Sequence, residues 1–209
     1  PKERGNVLQM FEDKPLDNDA WDIDIYYQQK MREVTDLKKW EIKEQGPLRL
    51  VIGLEWKYMN STIEQEMILY STNRRIDFNA LVVYRERQQL LKAAFPVDTR
   101  TTYATYDIQY GNVRRPNHWN TSWDQARFES VGHRFADLSE RNYGVALLND
   151  CKYGYDVKDN LLRISLLRSG KQPDHMQDIG EHVFTYSLLP HGGEFGEGGV
   201  VPSAFELNN

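Results

Sequence analysis

From Leu48 onward the chain alternates short apolar and aromatic runs with brief polar breaks. RLVIGLEW (Arg49–Trp56), STIEQEMILY (Ser61–Tyr70), RIDFNALVVY (Arg75–Tyr84) and LLKAAFPV (Leu90–Val97) are separated by Met59-Asn60, Asn73-Arg74 and Arg85-Glu86-Arg87. In the second run only the first half alternates cleanly, Ile63, Gln65, Met67 and Leu69 standing against Thr62, Glu64, Glu66 and Ile68. A strand with one face wet at one end and covered at the other reads this way. Several such strands in succession predict an all-β protein of antiparallel sheets packed as a sandwich.

Tyr143 to Arg168 reads as two further strands joined by a polar loop in which Asn149, Asp150, Lys152, Tyr153 and Asp156 crowd together. Amide, carboxylate, ammonium and phenol groups on one loop beside a sheet can surround a polyhydroxylated ligand, since each offers a differently placed donor or acceptor. Tyr26 to Trp40 is the one stretch open to a helical reading, with Tyr27, Met31, Val34 and Leu37 near one face; a non-helical reading stands equally open. Pro47, Pro96, Pro116, Pro173 and Pro190 fall at the edges of blocks, where a missing N–H does least harm to a ladder. His191–Val201 holds five glycines in eleven residues and is expected to be a mobile connector. Residues 1–209 read as one domain.

A chain of 209 residues can bury roughly 70% of its unfolded surface and build a real core. Its 40% hydrophobic and 27% charged residues are those of an ordinary globular protein. A formal net charge of −5 and no basic stripe speak against nucleic acid, and no apolar run approaches the ~20 residues needed to cross a bilayer. The single cysteine, Cys151, excludes an internal disulfide and points to a reducing compartment, hence a cytoplasmic protein.

The chemistry available is selective. A retaining glycosidase needs two carboxylates about 5 Å apart; Asp22, Asp124, Asp150 and Asp156 are available, but aspartate also caps turns. None is nominated as a nucleophile. The histidines His118, His133, His175, His182 and His191 form no ligand-spaced motif, so no metal site is expected from this chain, and His182 reads as a hydrogen-bonded structural residue. Cys151 reads as inert packing. Aromatic platforms suited to the apolar face of a sugar are Trp21, Trp119, Trp123, Tyr153 and Tyr155; Trp119 is expected to be exposed, while Trp123 and Tyr155 suit core and ligand equally.

Five long blocks carry a resemblance: FPVDTRTTYATYDIQYG (Phe95–Gly111), RPNHWNTSWDQARFE (Arg115–Glu129), FADLSERNYG (Phe135–Gly144), the Tyr143–Arg168 stretch and PDHMQDIGEHVFTYSLLPH (Pro173–His191). In that order, after the opening GNVLQMFEDKPLDNDAWDID (Gly5–Asp24), they resemble the C-terminal region of family 38 glycoside hydrolases, the α-mannosidases of the bacterial and cytosolic branch. Asn117 and Ser130-Val131-Gly132 depart from the pattern.

The resemblance implies a galactose-mutarotase-like supersandwich acting on mannose-containing oligosaccharides. It also implies an N-terminal catalytic domain of the same chain that holds the aspartate nucleophile and a divalent metal, usually zinc. The start at Pro1 and the end at Asn209 are accordingly read as those of an excised piece, inactive alone, with no catalytic residue and no cofactor of its own. Its expected part is an active-site wall built from Trp21, Asp22, Asn149, Asp150, Lys152, Tyr153 and Arg168, together with bracing of the catalytic domain. For Arg168 the resemblance implies a reach toward that domain, with an ordinary surface arginine as the alternative. A stand-alone carbohydrate-binding module and a structural interdomain or oligomerisation domain remain rival readings, and a homo-oligomer is left open.

Overall fold

The structure is a computed structural model describing residues 3–209; Pro1 and Lys2 lie outside the described residues. The strands in chain order are β1 (Val7–Glu12), β2 (Met31–Glu33), β3 (Leu37–Gln45), β4 (Arg49–Tyr58), β5 (Ser61–Tyr70), β6 (Ile76–Tyr84), β7 (Gln89–Pro96) and β8 (Tyr103–Ile108). They continue as β9 (Gly111–Pro116), β10 (Ser130–Val131), β11 (Phe135–Glu140), β12 (Tyr143–Asn149), β13 (Gly154–Lys158), β14 (Leu161–Arg168) and β15 (Gly180–Gly192). Two short helices complete the set, α1 (Ser122–Gln125) and α2 (Val200–Leu207).

Two antiparallel sheets face each other. The smaller has six strands in the order β10-β13-β14-β7-β1-β2, the larger nine in the order β3-β4-β5-β6-β15-β12-β11-β8-β9. Alternation along the strands fills the space between them: Leu91, Ala93 and Phe95 of β7 and Leu162 and Ile164 of β14 meet Phe78, Ala80 and Val82 of β6 and Phe184 and Tyr186 of β15. The antiparallel sandwich and the predicted strands β4 to β7 are therefore present, with helices taking only 8% of the chain.

Three stretches take a definite form. Tyr26–Trp40 is not a helix: a single 3-10 turn at Ile25–Gln29 is followed by β2 and β3. The 3.6-residue spacing of Tyr27, Met31, Val34 and Leu37 is accidental, since Tyr27 packs outside the smaller sheet with Phe11 and Leu90, while Val34 enters the main core. Tyr143–Arg168 forms three strands, not two, because GYDVK pairs with β14 as a hairpin turning at Asp159-Asn160. The glycine segment His191–Val201, expected to be mobile, joins two regular elements. It finishes β15, turns twice and starts α2, which lays Val200 and Ala204 on Phe135, Ala146 and Leu148 outside the larger sheet.

His191 anchors that segment. Its Nε2 lies 2.8 Å from a carboxylate oxygen of buried Asp137, which also accepts from the Ser139 hydroxyl. Glycine is required on both sides of the ring: a Cβ on Gly144 would lie 2.3 Å from His191 Cε1, and one on Gly198 2.1 Å from Nδ1.

Candidate functional site

Ionic side chains collect on the outer face of the smaller sheet. Alternation sends Leu91 and Ala93 into the core, so Lys92 between them must point outward, and Asp156 and Arg163 do the same beside Tyr155 and Ile164. Lys92 is nonetheless wholly buried. Its ammonium donates to the Tyr27 hydroxyl at 2.9 Å, to Asp156 Oδ2 at 2.5 Å and to Glu129 Oε1, while Arg163 Nε donates to Asp156 Oδ1 at 2.7 Å. The Tyr27 hydroxyl in turn donates to Glu129 at 2.5 Å. Two cations thus face two carboxylates, which is the condition for keeping charge out of water.

Burial opposes the Lys92 charge, but Asp156 and Glu129 outweigh it and hold its pKa above the ordinary lysine range. Burial raises the Glu129 carboxyl, with Lys92 pulling against it. Burial likewise raises the Tyr27 phenol, which stays protonated.

Two chain segments cover this cluster. The stretch from Asp13 to Lys30 supplies Tyr27, whose ring meets Phe11 edge-on at 5.1 Å, and the stretch after α1 supplies Phe128 and Glu129. Arg168, at the end of β14 and level with Leu90, fastens the first stretch. Its Nε donates to Asp13 at 2.5 Å and its Nη2 to the Asp22 carbonyl, while Asp178 accepts from its backbone N–H at 2.9 Å. Lys171 N–H adds a bond of 2.7 Å to Asp19. Fixed in this way, the loop holds Trp21 74% exposed and Tyr26 64% exposed. The structure therefore brings together three of the expected wall residues, Trp21, Asp22 and Arg168, with the Arg168 Nε and Nη2 donating inside this chain.

Asn149, Asp150, Lys152 and Tyr153 form a second group, on the connection that carries the chain from the larger sheet to the smaller. Asn149 is buried and donates to the His133 carbonyl at 2.7 Å and to the Tyr155 hydroxyl at 2.5 Å, accepting the Lys152 N–H at 2.7 Å. It is a bracket between the sheets. Asp150 accepts the Thr185 N–H at 2.8 Å, and its other oxygen is buried without a partner. Lys152 lies over the Phe184 ring at 4.7 Å. Tyr153 is the open member: half exposed, edge-on to His133 at 5.7 Å, it borders a groove of about 440 Å³ shared with Arg134, Phe205 and Asn208.

The remaining candidates divide plainly. Tyr155 is core and Trp123 is 77% exposed; Trp119 is half-buried beneath the Lys158 ammonium at 4.2 Å, so its expected exposure is only partial. Asp124 caps α1 in a reciprocal pair with Thr121. His182 sits on β15 against the Asp178 carbonyl at 3.0 Å. Cys151 is exposed and not packed, yet burial of its sulfur and the neighbouring Asp150 push its pKa up to about 11. No group of three His, Cys, Asp or Glu side chains among the described residues converges as a metal site.

The sequence reading overlooked Lys92, Glu129, Tyr27 and Arg163. A signal existed: LLKAAFPV and LLRISLL (Leu161–Leu167) each set one cation among mostly apolar residues at a position that the strand period assigns to a face, and a cation there needs buried partners.

Comparison with known proteins places this architecture. Residues 1–176 match the family model described as the glycosyl hydrolases family 38 C-terminal domain. Alpha-mannosidase 2C1 of Homo sapiens is 43% identical over 209 residues, covering 98% of this chain and 20% of its own length. Alpha-mannosidase G of Dictyostelium discoideum is 42% identical over 210 residues, covering 98% and 19%. The crystal structure of an alpha-mannosidase from Enterococcus faecalis V583 superposes with a TM-score of 0.81 over 98% of this chain and 27% of that one, at 15% identity. The chain spans about a fifth of the length of the curated relatives it matches. On the family match and the identity to these relatives, the chain belongs to glycoside hydrolase family 38, as its C-terminal domain.

Proposed function

We propose that this chain works as the sugar-side wall and brace of a retaining, metal-dependent α-mannosidase that removes terminal α-mannosyl residues from mannose-containing oligosaccharides in the cytoplasm. Its relatives bear α-mannosidase names and are longer enzymes, and the family model it matches is that of a C-terminal domain. The observation that carries the wall role is the Asp13–Lys30 loop. Arg168 and the Lys92 cluster hold it rigidly, yet Trp21 stands open to solvent beside Asp22. A fixed, exposed indole next to a carboxylate suits a pyranose, which has an apolar C–H face and hydroxyl edges, and a held platform loses little entropy on binding.

The donor set here does not fit a metal, since no three ligand-type side chains converge among the described residues. In this reading the metal and the nucleophile belong to the catalytic domain, and the chain alone neither binds a stoichiometric metal ion nor hydrolyses aryl α-mannosides. Glu129 and Asp156 do not form a catalytic pair: both are bound to the same Lys92 ammonium. The test is Trp21→Ala in the full-length enzyme. A fall in kcat/KM of at least about tenfold, or about 1.4 kcal/mol of transition-state stabilisation, at unchanged melting temperature is expected; unchanged kcat/KM would remove the loop from the active site.

A further inference from the structure

The larger sheet overhangs the smaller one at β3 and β4. Cross-strand partners place Leu37 with Trp56 and Ile63, Trp40 with Leu54 and Gln65, and Ile42 with Ile52 and Met67. Residues directly opposite one another share a face, and Ile63 and Met67 belong to the central core. Leu37, Trp40 and Ile42 therefore extend the core-facing side of the sheet past the point where the smaller sheet ends. They are 43%, 65% and 53% exposed.

The other side of β3 differs in kind. There Lys39 pairs with Glu41 at 2.9 Å and Lys43 with Glu66 at 3.0 Å, so that side is satisfied in water without a partner. The edge is also guarded, because β3 carries bulges between Leu37 and Lys39 and between Ile42 and Glu44, which spoil it as a template for an added strand. What stays unsatisfied is the apolar face alone, and a contiguous patch with a central tryptophan marks an interaction surface.

We propose that this face is an intramolecular docking surface, covered face-on by apolar side chains from another part of the full-length mannosidase chain and not by an added strand. The proposal rests on the reading of the chain as one domain of a longer enzyme. The occupant is argued from length: the matched relatives hold about four fifths of their residues outside the region shared with this chain, so apolar cover is available in the same molecule. Attachment within one chain also supplies it at high effective concentration.

The test reads accessibility and needs no activity, so its outcome is independent of whether the enzyme is a mannosidase. In full-length enzyme carrying Cys151→Ser, Ile42→Cys and Leu37→Cys are treated separately with N-ethylmaleimide, and labelling of each peptide is followed by mass spectrometry in native and urea-unfolded protein. Oxidative footprinting of Trp40 in the unsubstituted enzyme reads the same face should either variant misfold. Expected is native labelling slowed about a hundredfold or more at both sites, as for a surface released only by local opening, with Trp40 protected to match and no dependence on enzyme concentration. Native labelling within a few-fold of the unfolded rate, or a readily oxidised Trp40, overturns the proposal. Protection that vanishes on dilution, together with a fall in native mass, assigns the face to a second copy and overturns it equally.

Discussion

Asp156 and Lys92 form an ion pair of 2.5 Å in which the lysine is fully buried and the aspartate 2% exposed, on a sheet face that alternation alone would leave to solvent. The pair is sealed by a loop that the same lysine holds through Tyr27. Charge satisfaction and loop position are therefore one structure, and neither survives loss of the other.

Lys92→Met should destabilise the protein by about 3–5 kcal/mol, because Glu129 loses its ammonium partner and buried Asp156, though it keeps Arg163, loses one of its two cations. Chemical unfolding of the parent enzyme, or of this domain if it unfolds as a separate transition, measures it. A cost below about 1 kcal/mol would mean that water reaches the carboxylates readily.

The pH dependence of that gap has a definite sign. The folded-state pKa of Lys92 lies above the ordinary lysine value of 10.5, so its contribution is complete below 10.5 and is lost only as pH rises through the higher folded value. The stability difference between wild type and Lys92→Met should hold steady from about pH 7 to about pH 10 and close in stronger alkali. Unfolding midpoints across that range check it; closure near about pH 8 contradicts the assignment.

Asp150→Ala should act on stability before it acts on rate. Its carboxylate accepts the Thr185 N–H, and removing that acceptor leaves a donor unpaired, at about 1–3 kcal/mol. Arg168→Ala should lower both stability and kcat/KM, since it frees Asp13 and the Asp22 carbonyl together. Melting curves and steady-state rates on the same proteins separate these two from Trp21→Ala, for which only the rate should change.

Gly144→Ala drives a Cβ into the His191 ring and should cost about 1–3 kcal/mol. It should also open the turns at 193–199 to proteolysis. Gly111→Ala, with nothing within 4 Å of the added carbon, is the control and should do neither.

Cys151 should alkylate slowly despite its exposure. With a pKa near 11, about one thiol in a thousand is ionised at about pH 8. The iodoacetamide rate should climb tenfold per pH unit up to that value, and fast labelling at neutral pH would refute it.

How much of this could be read in advance depended on whether a residue's surroundings come from its own strand. The pattern of Ser61–Tyr70 alone located β5 to the residue, because alternation is a local property. Lys92 was passed over because its partners Tyr27, Glu129 and Asp156 lie 65, 37 and 64 positions away. The same distance effect hides the partners of Asn149 and Asp150, whose polar groups look free in sequence while Asn149 bonds His133 and Tyr155 and one Asp150 oxygen accepts from Thr185. The glycine run reads as mobile by composition alone, which cannot show that His191 needs glycine at 144 and 198 for lack of space.

The position of β15 bears on how the protein is made. It comes after the other fourteen strands described here, yet it lies between β6 and β12 and, among the described residues, is the link between β3–β6 and the group β12, β11, β8 and β9 of the larger sheet. During synthesis the first fourteen strands emerge before the one that joins them, leaving two open sheet edges at β6 and β12 until the ribosome delivers residues 180–192. Such edges invite mispairing. This domain is thus open to mispairing in the interval before β15 arrives, and a ribosomal pause just upstream of Gly180 would lengthen it.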